Sequence, residues 1–370
     1  MGCYGEGGLL MKNDRLAVWK IAQPVCNLAG YAEASSFIKY ADSTIANEKL
    51  FHITFYPEAL AAFKQGKLTQ FLQAVIKYTG ALLVRGWEIK AEDFQYVLDT
   101  LANGRRASYG ETQSLRLHVG ENVYTSTEHP SSQNIFYHNE NSHRMIWPKL
   151  ISFYCEYPSD SGGDTPIVNN YLVEGFLSEE TKERFMRLGV RYRRNFRNQF
   201  GVPWQTVFET DDKKVVDDYC QVNDIQAEWQ SNNDLTVTYD RPAYVVHPEN
   251  NRSIWCNNVA FYHPLSLESR QYRTLRMIMK ENEMPTYVSF GNGETIPPEI
   301  IEEIKNAYHQ AASRFSWKAQ DMLIMDNIIY AHGRDAFTGS RRILVTMAEP
   351  VTRSFKPRLD QPAILKACNG

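Results

Sequence analysis

Hydrophobic and polar positions change period several times along the chain. Residues 47–79, "NEKLFHITFYPEALAAFKQGKLTQFLQAVIKYT", read mainly as a helical region. "GALLVRGWEI" follows, an apolar β-rich run between glycines that predicts a buried strand. "FQYVLDTLA" at 94–102 returns to helical spacing and stops at Asn103-Gly104. From about 114 to 170 the texture turns to short β-like runs, "LRLHV", "NVYTST", "NIFYH" and "LISFYCEY", punctuated by Gly, Pro, Ser and Asn. A stretch from 176 to 310 mixes helical pieces ("SEETKERFMRL", "PPEIIEEIKNAYHQAASRF") with β-like ones ("TVTYDRPAYVVH"). Three strand-like pieces close the pattern: "DMLIMD", "NIIYAH" and "RRILVTMAEP". No internal repeat is visible.

Strands early and late around a mixed segment predict a mainly β protein with flanking helices, of the α+β class: a β-sandwich or jelly roll carrying an insertion. One domain over 1–370 is expected. Residues 1–113 would supply helices and first strands, 114–175 and 311–350 the jelly-roll core, and 176–310 an insertion or lid.

Composition supports a substantial core, with 43% hydrophobic and 12% aromatic residues in 370. Lys plus Arg number 40 against 43 Asp plus Glu, a net charge of −3, so no broad basic face offers itself to nucleic acid. A small or carrier-borne partner fits better. The six cysteines, Cys3, Cys26, Cys155, Cys220, Cys256 and Cys368, show no CxxC spacing and read as reduced thiols in the cytoplasm. No apolar run reaches membrane-span length, and the start lacks a signal peptide's basic-then-apolar order. "MGCYGE" has Glu6 where the myristoylation pattern requires Ser or Thr.

Candidate chemistry concentrates in "YHNENSH", residues 137–143. In a strand, residues i and i+2 share a face, so His138 and Glu140 can converge on one point, as a metal ion requires. An H-x-E alone is weak, and from the residues alone a polar strand face is the favoured explanation. Far along the chain His332 ends an apolar run, where an unpartnered imidazole is costly. A satisfied core histidine is its plainer alternative. Together His138, Glu140 and His332 would form a two-histidine, one-carboxylate facial triad with open coordination positions, the pattern of non-haem Fe(II) oxygenases. Ten residues on, Arg342 shares the alternating face of Leu344 and Thr346. Its permanent charge calls for an anion, either a chelating dicarboxylate or a structural acid. Arg341 beside it is expected to face outward.

The stretches "YHNENSHRMIWPKLISFYCEYPSDSGGDTPIVNN" and "DMLIMDNIIYAHGRDAFTGSRRILV" resemble the taurine dioxygenase / clavaminate synthase-like superfamily of Fe(II)/2-oxoglutarate oxygenases. The likeness is strongest to the branch around the syringomycin-biosynthesis aspartyl hydroxylase and runs from about residue 80 to 350, including "IWCNNVAFYHP" and "VSFGNGETIPPEI". The resemblance implies a double-stranded β-helix, iron held by His138, Glu140 and His332, and 2-oxoglutarate held by Arg342 with the hydroxyl of Thr165 in "GGDTP". From the residues alone Thr165 reads as a turn position. The gap from His332 to Arg342 is about one residue shorter than in taurine dioxygenase, which leaves Arg341 as the rival anchor. Retention of Glu140 resembles the hydroxylating rather than the halogenating members.

The resemblance further implies O2 as co-substrate, with succinate and CO2 released. The substrate is expected to be a small molecule: an amino acid or its derivative, free or tethered to a carrier, in natural-product biosynthesis. Hydroxylation is the leading outcome, and desaturation or ring closure uses the same chemistry. Asn134, Tyr137, Asn141 and Arg334 are candidate substrate contacts. "RYRRNFR" at 191–197 reads first as a solvated face and second as an anion site. Rival classes are a zinc hydrolase or deaminase, which lacks its P-C-x-x-C or H-E-x-x-H companion here, and a non-catalytic jelly-roll binding module.

Overall fold

The computed structural model of the protein describes residues 27–42, 50–107, 118–120, 123–125, 129–197 and 201–353. The start "MGCYGE", Cys3, Cys26, Cys368 and most of "LRLHV" lie outside them.

An eight-stranded sheet forms the back of the molecule. Its strands run in the order Ile38–Asp42, Phe51–Phe55, Ala81–Arg85, Met322–Asp326, Ile146–Tyr157, Arg342–Thr352, Val123–Thr125 and His118–Gly120. All neighbours are antiparallel except the second and third, which pair in parallel. A parallel pair needs a crossover, and the helices Ala59–Lys64 and Thr69–Thr79 supply it. Gly80, at φ +73, ends the second helix in a left-handed turn, and a Cβ there would stand 2.9 Å from the ring of Tyr330.

The strand Phe51–Phe55 corrects the expectation of a mainly helical 47–79. Phe, Ile and Thr in "FHITF" suit a pleated surface, and helix begins only at Ala59. The other early expectations are matched at Ala81–Arg85 and at the helix Ala91–Leu101.

A smaller antiparallel sheet faces the first: Ala312–Ser313, Ile167–Asn169, Tyr330–Arg334 and Ile135–His138. The two sheets make the double-stranded β-helix. Phe153, Cys155, Leu323, Met325, Ile343 and Val345 fill the space between them. The alternate residues Tyr154, Met322, Ile324 and Leu344 point the other way, onto Phe71, Val75, Phe94 and Leu98 of the crossover helix and of Ala91–Leu101. Period-two alternation therefore gives the back sheet two apolar faces, one toward the small sheet and one toward helices. Between Ile167–Asn169 and Ala312–Ser313 the chain builds a further sheet, ordered Gln226–Trp229, Leu235–Arg241, Val190–Phe196 and Thr286–Phe290, which shares a core with the helix Pro298–Ala311. No helix among the described residues is long and apolar enough to cross a membrane.

Candidate active site

His138 and His332 are brought together by strand pairing. Ile135–His138 and Tyr330–Arg334 are antiparallel neighbours, and the two histidines are register partners with ring centroids 4.5 Å apart. The strand ends at His138, so Glu140 arrives from a turn and not from the i+2 position of a strand. Its Oε2 lies 3.8 Å from Nε2 of each histidine, and one ligand atom from each of the three residues falls within a 4.8 Å cluster. Donors about 2 Å from a common ion sit within about 4 Å of one another. Glu140 and His332 are buried and His138 is half-buried. Nδ1 of His138 is 3.0 Å from the carbonyl of Phe136, an arrangement in which Nδ1–H donates and Nε2 is left as a bare donor atom toward the cluster. Phe261 and Phe153 pack against the two imidazoles at 4.5 and 4.8 Å.

The turn that carries Glu140 is irregular backbone inside the protein, so each of its polar groups needs a partner. Asn141 takes a left-handed φ of 56°, tolerable for asparagine. Side chains distant in sequence capture the turn. Asn258 accepts from the N–H of Asn139 at 3.0 Å and donates to its carbonyl at 3.1 Å. Asn327 accepts from the N–H of Glu140 at 2.7 Å and donates to its carbonyl at 2.9 Å. Asn139 itself donates to the carbonyls of Asn327 and Tyr330, and Asn170 donates to Asn139 at 3.1 Å. Arg241 donates to the carbonyl of His143, and Arg353 to those of Ser142 and Arg144. All four asparagines are at most 3% exposed. A buried polar network this extensive, in which of the four amides only Oδ1 of Asn170 lacks a hydrogen-bond partner among the described residues, fixes one backbone path, and with it the position of the carboxylate.

The second corner of the site corrects the expected arginine. Parity along the last strand was read properly, but Leu344 belongs to the face that packs on the helices, whereas Phe153, which touches His332, lines the face shared by Ile343 and Val345. Arg342 therefore turns outward, and its Nε lies 2.9 Å from a carboxylate oxygen of Glu156, both side chains more than a third exposed. Arg341, expected outside, points in. Its Nε donates to the carbonyl of Gly163 at 2.9 Å and its Nη2 to Oγ1 of Thr165 at 3.3 Å. Thr165 is buried and also accepts from the indole of Trp317 at 2.9 Å. Burial, reinforced by the positive charge of Arg334, pulls the Arg341 guanidinium down to about 10, so it stays cationic at neutral pH. The glycine pair of "GGDTP" has a steric role: Gly163 adopts φ +72, and a Cβ on it would meet the Cδ of Arg341 at 3.0 Å.

The family model for "Taurine catabolism dioxygenase TauD, TfdA family" matches residues 54–347. The chain belongs to the TauD/TfdA family. Among relatives, it is 34% identical over 281 residues to the dapdiamide synthesis protein DdaC of Enterobacter agglomerans, covering 76% of this chain and 85% of that protein. It is 27% identical over 305 residues to a clavaminate synthase-like protein of Arabidopsis thaliana, covering 79% and 88%. Among solved structures, PvcB of Pseudomonas aeruginosa aligns with a TM-score of 0.45 at 15% identity over 80% of this chain and 84% of that one. As a TauD/TfdA enzyme the protein is an Fe(II)/2-oxoglutarate-dependent oxygenase that uses O2. Its donor set, two imidazoles and one carboxylate within one cluster, fits the metal.

The expected substrate contacts fare differently in this TauD/TfdA fold. Asn134 is exposed and accepts from the N–H of Ala336 at 2.6 Å, a turn-holding role. Tyr137 alternates away from His138 and lies under the helix Pro298–Ala311, stacked on Tyr308 and accepting from Arg314 at 3.2 Å. Arg334 donates to the carbonyls of His129, Pro130 and Gln133, anchoring that loop. The polar atoms of these three are engaged by the fold. Asn141 is buried in the metal turn itself, beside Glu140. Sequence reasoning missed Asn139, Asn170, Asn258, Asn327 and Trp317. "NN" in "IWCNN" and "IVNN" and the "DN" before "IIYAH" were the visible signal, since buried paired amides are rare outside networks.

Proposed function

We propose that the protein hydroxylates an unactivated C–H of an amino acid or amino-acid derivative in natural-product assembly. In this reading His138, Glu140 and His332 hold Fe(II), and Arg341 with Thr165 holds the distal carboxylate of 2-oxoglutarate. The observation that carries it is a shared core: His332 packs on Phe153 and Thr165 accepts from Trp317, and Phe153 and Trp317 belong to the one hydrophobic cluster between the two sheets. When bound, the iron and its keto acid supply the O2-dependent oxidation. The chain's own part is to fix the donors, to orient the co-substrate through a charge-assisted contact, and to keep the site lined with Phe153 and Phe261 against water. Similarity to a dapdiamide synthesis protein supports the substrate class. Carrier attachment of that substrate is a finer form of the same proposal. A cytoplasmic location agrees with the free, buried thiols Cys155, Cys220 and Cys256.

The deciding experiment is succinate formation from 2-oxoglutarate with Fe(II) and O2 against a panel of free and carrier-bound amino acids, with product mass. Gain of one oxygen atom in a product supports hydroxylation; loss of two hydrogens points to desaturation or ring closure. Absence of stimulated succinate with any amino-acid form would reject the substrate class.

A further inference from the structure

The strands Tyr244–Val246 and Ser253–Trp255 form a two-stranded sheet of their own, and the turn between them reaches the back sheet through one buried pair. His247 follows the first of these strands and is 3% exposed; Asp326 ends the strand Met322–Asp326 and is 5% exposed. Nε2 of His247 lies 2.9 Å from Oδ2 of Asp326. Nδ1 accepts from the N–H of Glu249 at 3.3 Å, so the ring proton sits on Nε2 and is donated to the carboxylate. The hairpin turn fixes the ring from its own side. The N–H of His247 donates to the carbonyl of Arg252, and its carbonyl accepts from the N–H of Asn251, both at 2.9 Å.

The other oxygen of Asp326 closes the turn that leads to the metal cluster. Oδ1 accepts from the N–H groups of Ile328 and Ile329 at 2.9 and 3.2 Å. Enclosed by those bonds is Asn327, whose amide holds both backbone polar groups of Glu140. The strand Tyr330–Arg334, which carries His332, starts directly after them. One carboxylate thus shapes the turn that supports Glu140 and launches the strand of the distal imidazole. A buried carboxylate needs donors on both oxygens. The two backbone N–H groups serve Oδ1, and among the described residues His247 is the donor on Oδ2. We propose that His247 is a positioning residue for the metal site: through Asp326 it holds the turn 326–329 and so sets how tightly His138, Glu140 and His332 bind the ion. The inference rests on the reading that those three residues are the ligands.

The test titrates the full chain with Co(II) without oxygen, by visible absorption and calorimetry, and follows the thermal midpoint of the metal-free protein in parallel. H247L is expected to bind Co(II) about tenfold more weakly, the low end of the loss when a support behind a metal ligand is removed. H247Q places its amide nitrogen where Nε2 stands, so it keeps wild-type affinity. H247N is too short to reach Asp326 and behaves like H247L. In a D326N background H247L adds no further loss, because two members of one chain of contacts are not additive. A merely structural residue would lower the midpoint and leave Co(II) affinity untouched; that result overturns the proposal, as does equal affinity in H247Q and H247N. If H247L does not fold, the comparison of those two amides decides. Wild-type protein without a saturable Co(II) site, or H138A that binds as tightly as wild type, refutes the ligand set and this inference with it. A site lost in H138A but unchanged in H247L refutes the role of His247 alone.

Discussion

The side-chain amide of Asn327 grips both backbone polar groups of Glu140, across 187 residues of sequence, accepting from its N–H at 2.7 Å and donating to its carbonyl at 2.9 Å. A third bond, to the carbonyl of Pro148 at 2.8 Å, ties the same amide to the back sheet. Asn327→Ala leaves two or three buried groups unpaired, at about 1–3 kcal/mol each. The carboxylate loses its support, and losses of such support typically weaken metal affinity about 10–100-fold. Anaerobic Fe(II) or Co(II) titration measures this. Asn327→Asp, which still accepts but cannot donate, is expected to fall between the two. A variant with a lowered melting temperature and wild-type metal affinity would reduce Asn327 to a stability role.

Arg341 and Arg342 separate cleanly by face. Arg341→Ala removes the cation beside Thr165, and the loss of a charged hydrogen-bond partner, about 1.5–3 kcal/mol, corresponds to roughly a 10–100-fold rise in KM for 2-oxoglutarate. Arg342→Ala breaks only the exposed contact with Glu156, an interaction of about 0.2–1 kcal/mol. Its KM is expected to stay at the wild-type value. Steady-state succinate formation decides, and equal losses in the two variants would contradict the assignment.

How much of this was legible beforehand depends on range. His138, Glu140 and His332 could be named because the motifs around them resemble a known family; alone, an H-x-E and one histidine after an apolar run read as readily as a polar strand face and a core histidine. The strand at 51–55 was hidden by the helices that follow it, since five residues carry little periodicity. For Arg342 the parity was correct, but parity does not say which face of a sheet buried on both sides looks toward the iron. That answer came from what packs on Leu344 and what packs on Phe153. The paired amides were visible in the sequence, but not their partners, because Asn139, Asn170, Asn258 and Asn327 meet only after two sheets and an insertion have folded.

Gly163 tests the steric route to the same corner. A Cβ at φ +72 would stand 2.5 Å from Oγ of Ser159 and 3.0 Å from both Arg341 and Phe337. Gly163→Ala is therefore expected to cost about 1–2 kcal/mol in the left-handed backbone and to displace Arg341, raising KM for 2-oxoglutarate while leaving metal affinity unchanged. Gly66 is the control: it has φ +84 but nothing within 4 Å. Gly66→Ala should share the stability loss and spare the KM. If both variants behave alike kinetically, the crowding against Arg341 has no functional weight.

His263 sets an acid limit on stability. Burial, with Lys305 nearby, pushes its imidazole down to about 4, and Nδ1 accepts from the N–H of Leu265 at 3.2 Å, which requires the neutral ring. In the unfolded chain the group regains an ordinary value near 6.5. Between these values the unfolded state binds a proton that the folded state refuses, so stability falls as pH drops from about 6.5 toward 4. Above about pH 6.5 the effect vanishes. The window corresponds to roughly 3 kcal/mol at its acid end. His263→Gln removes the titrating group, so its unfolding free energy should depend less on pH across that interval than the wild type's. Denaturant melts at several pH values measure the two slopes, and parallel curves would show that His263 takes no part in the acid loss.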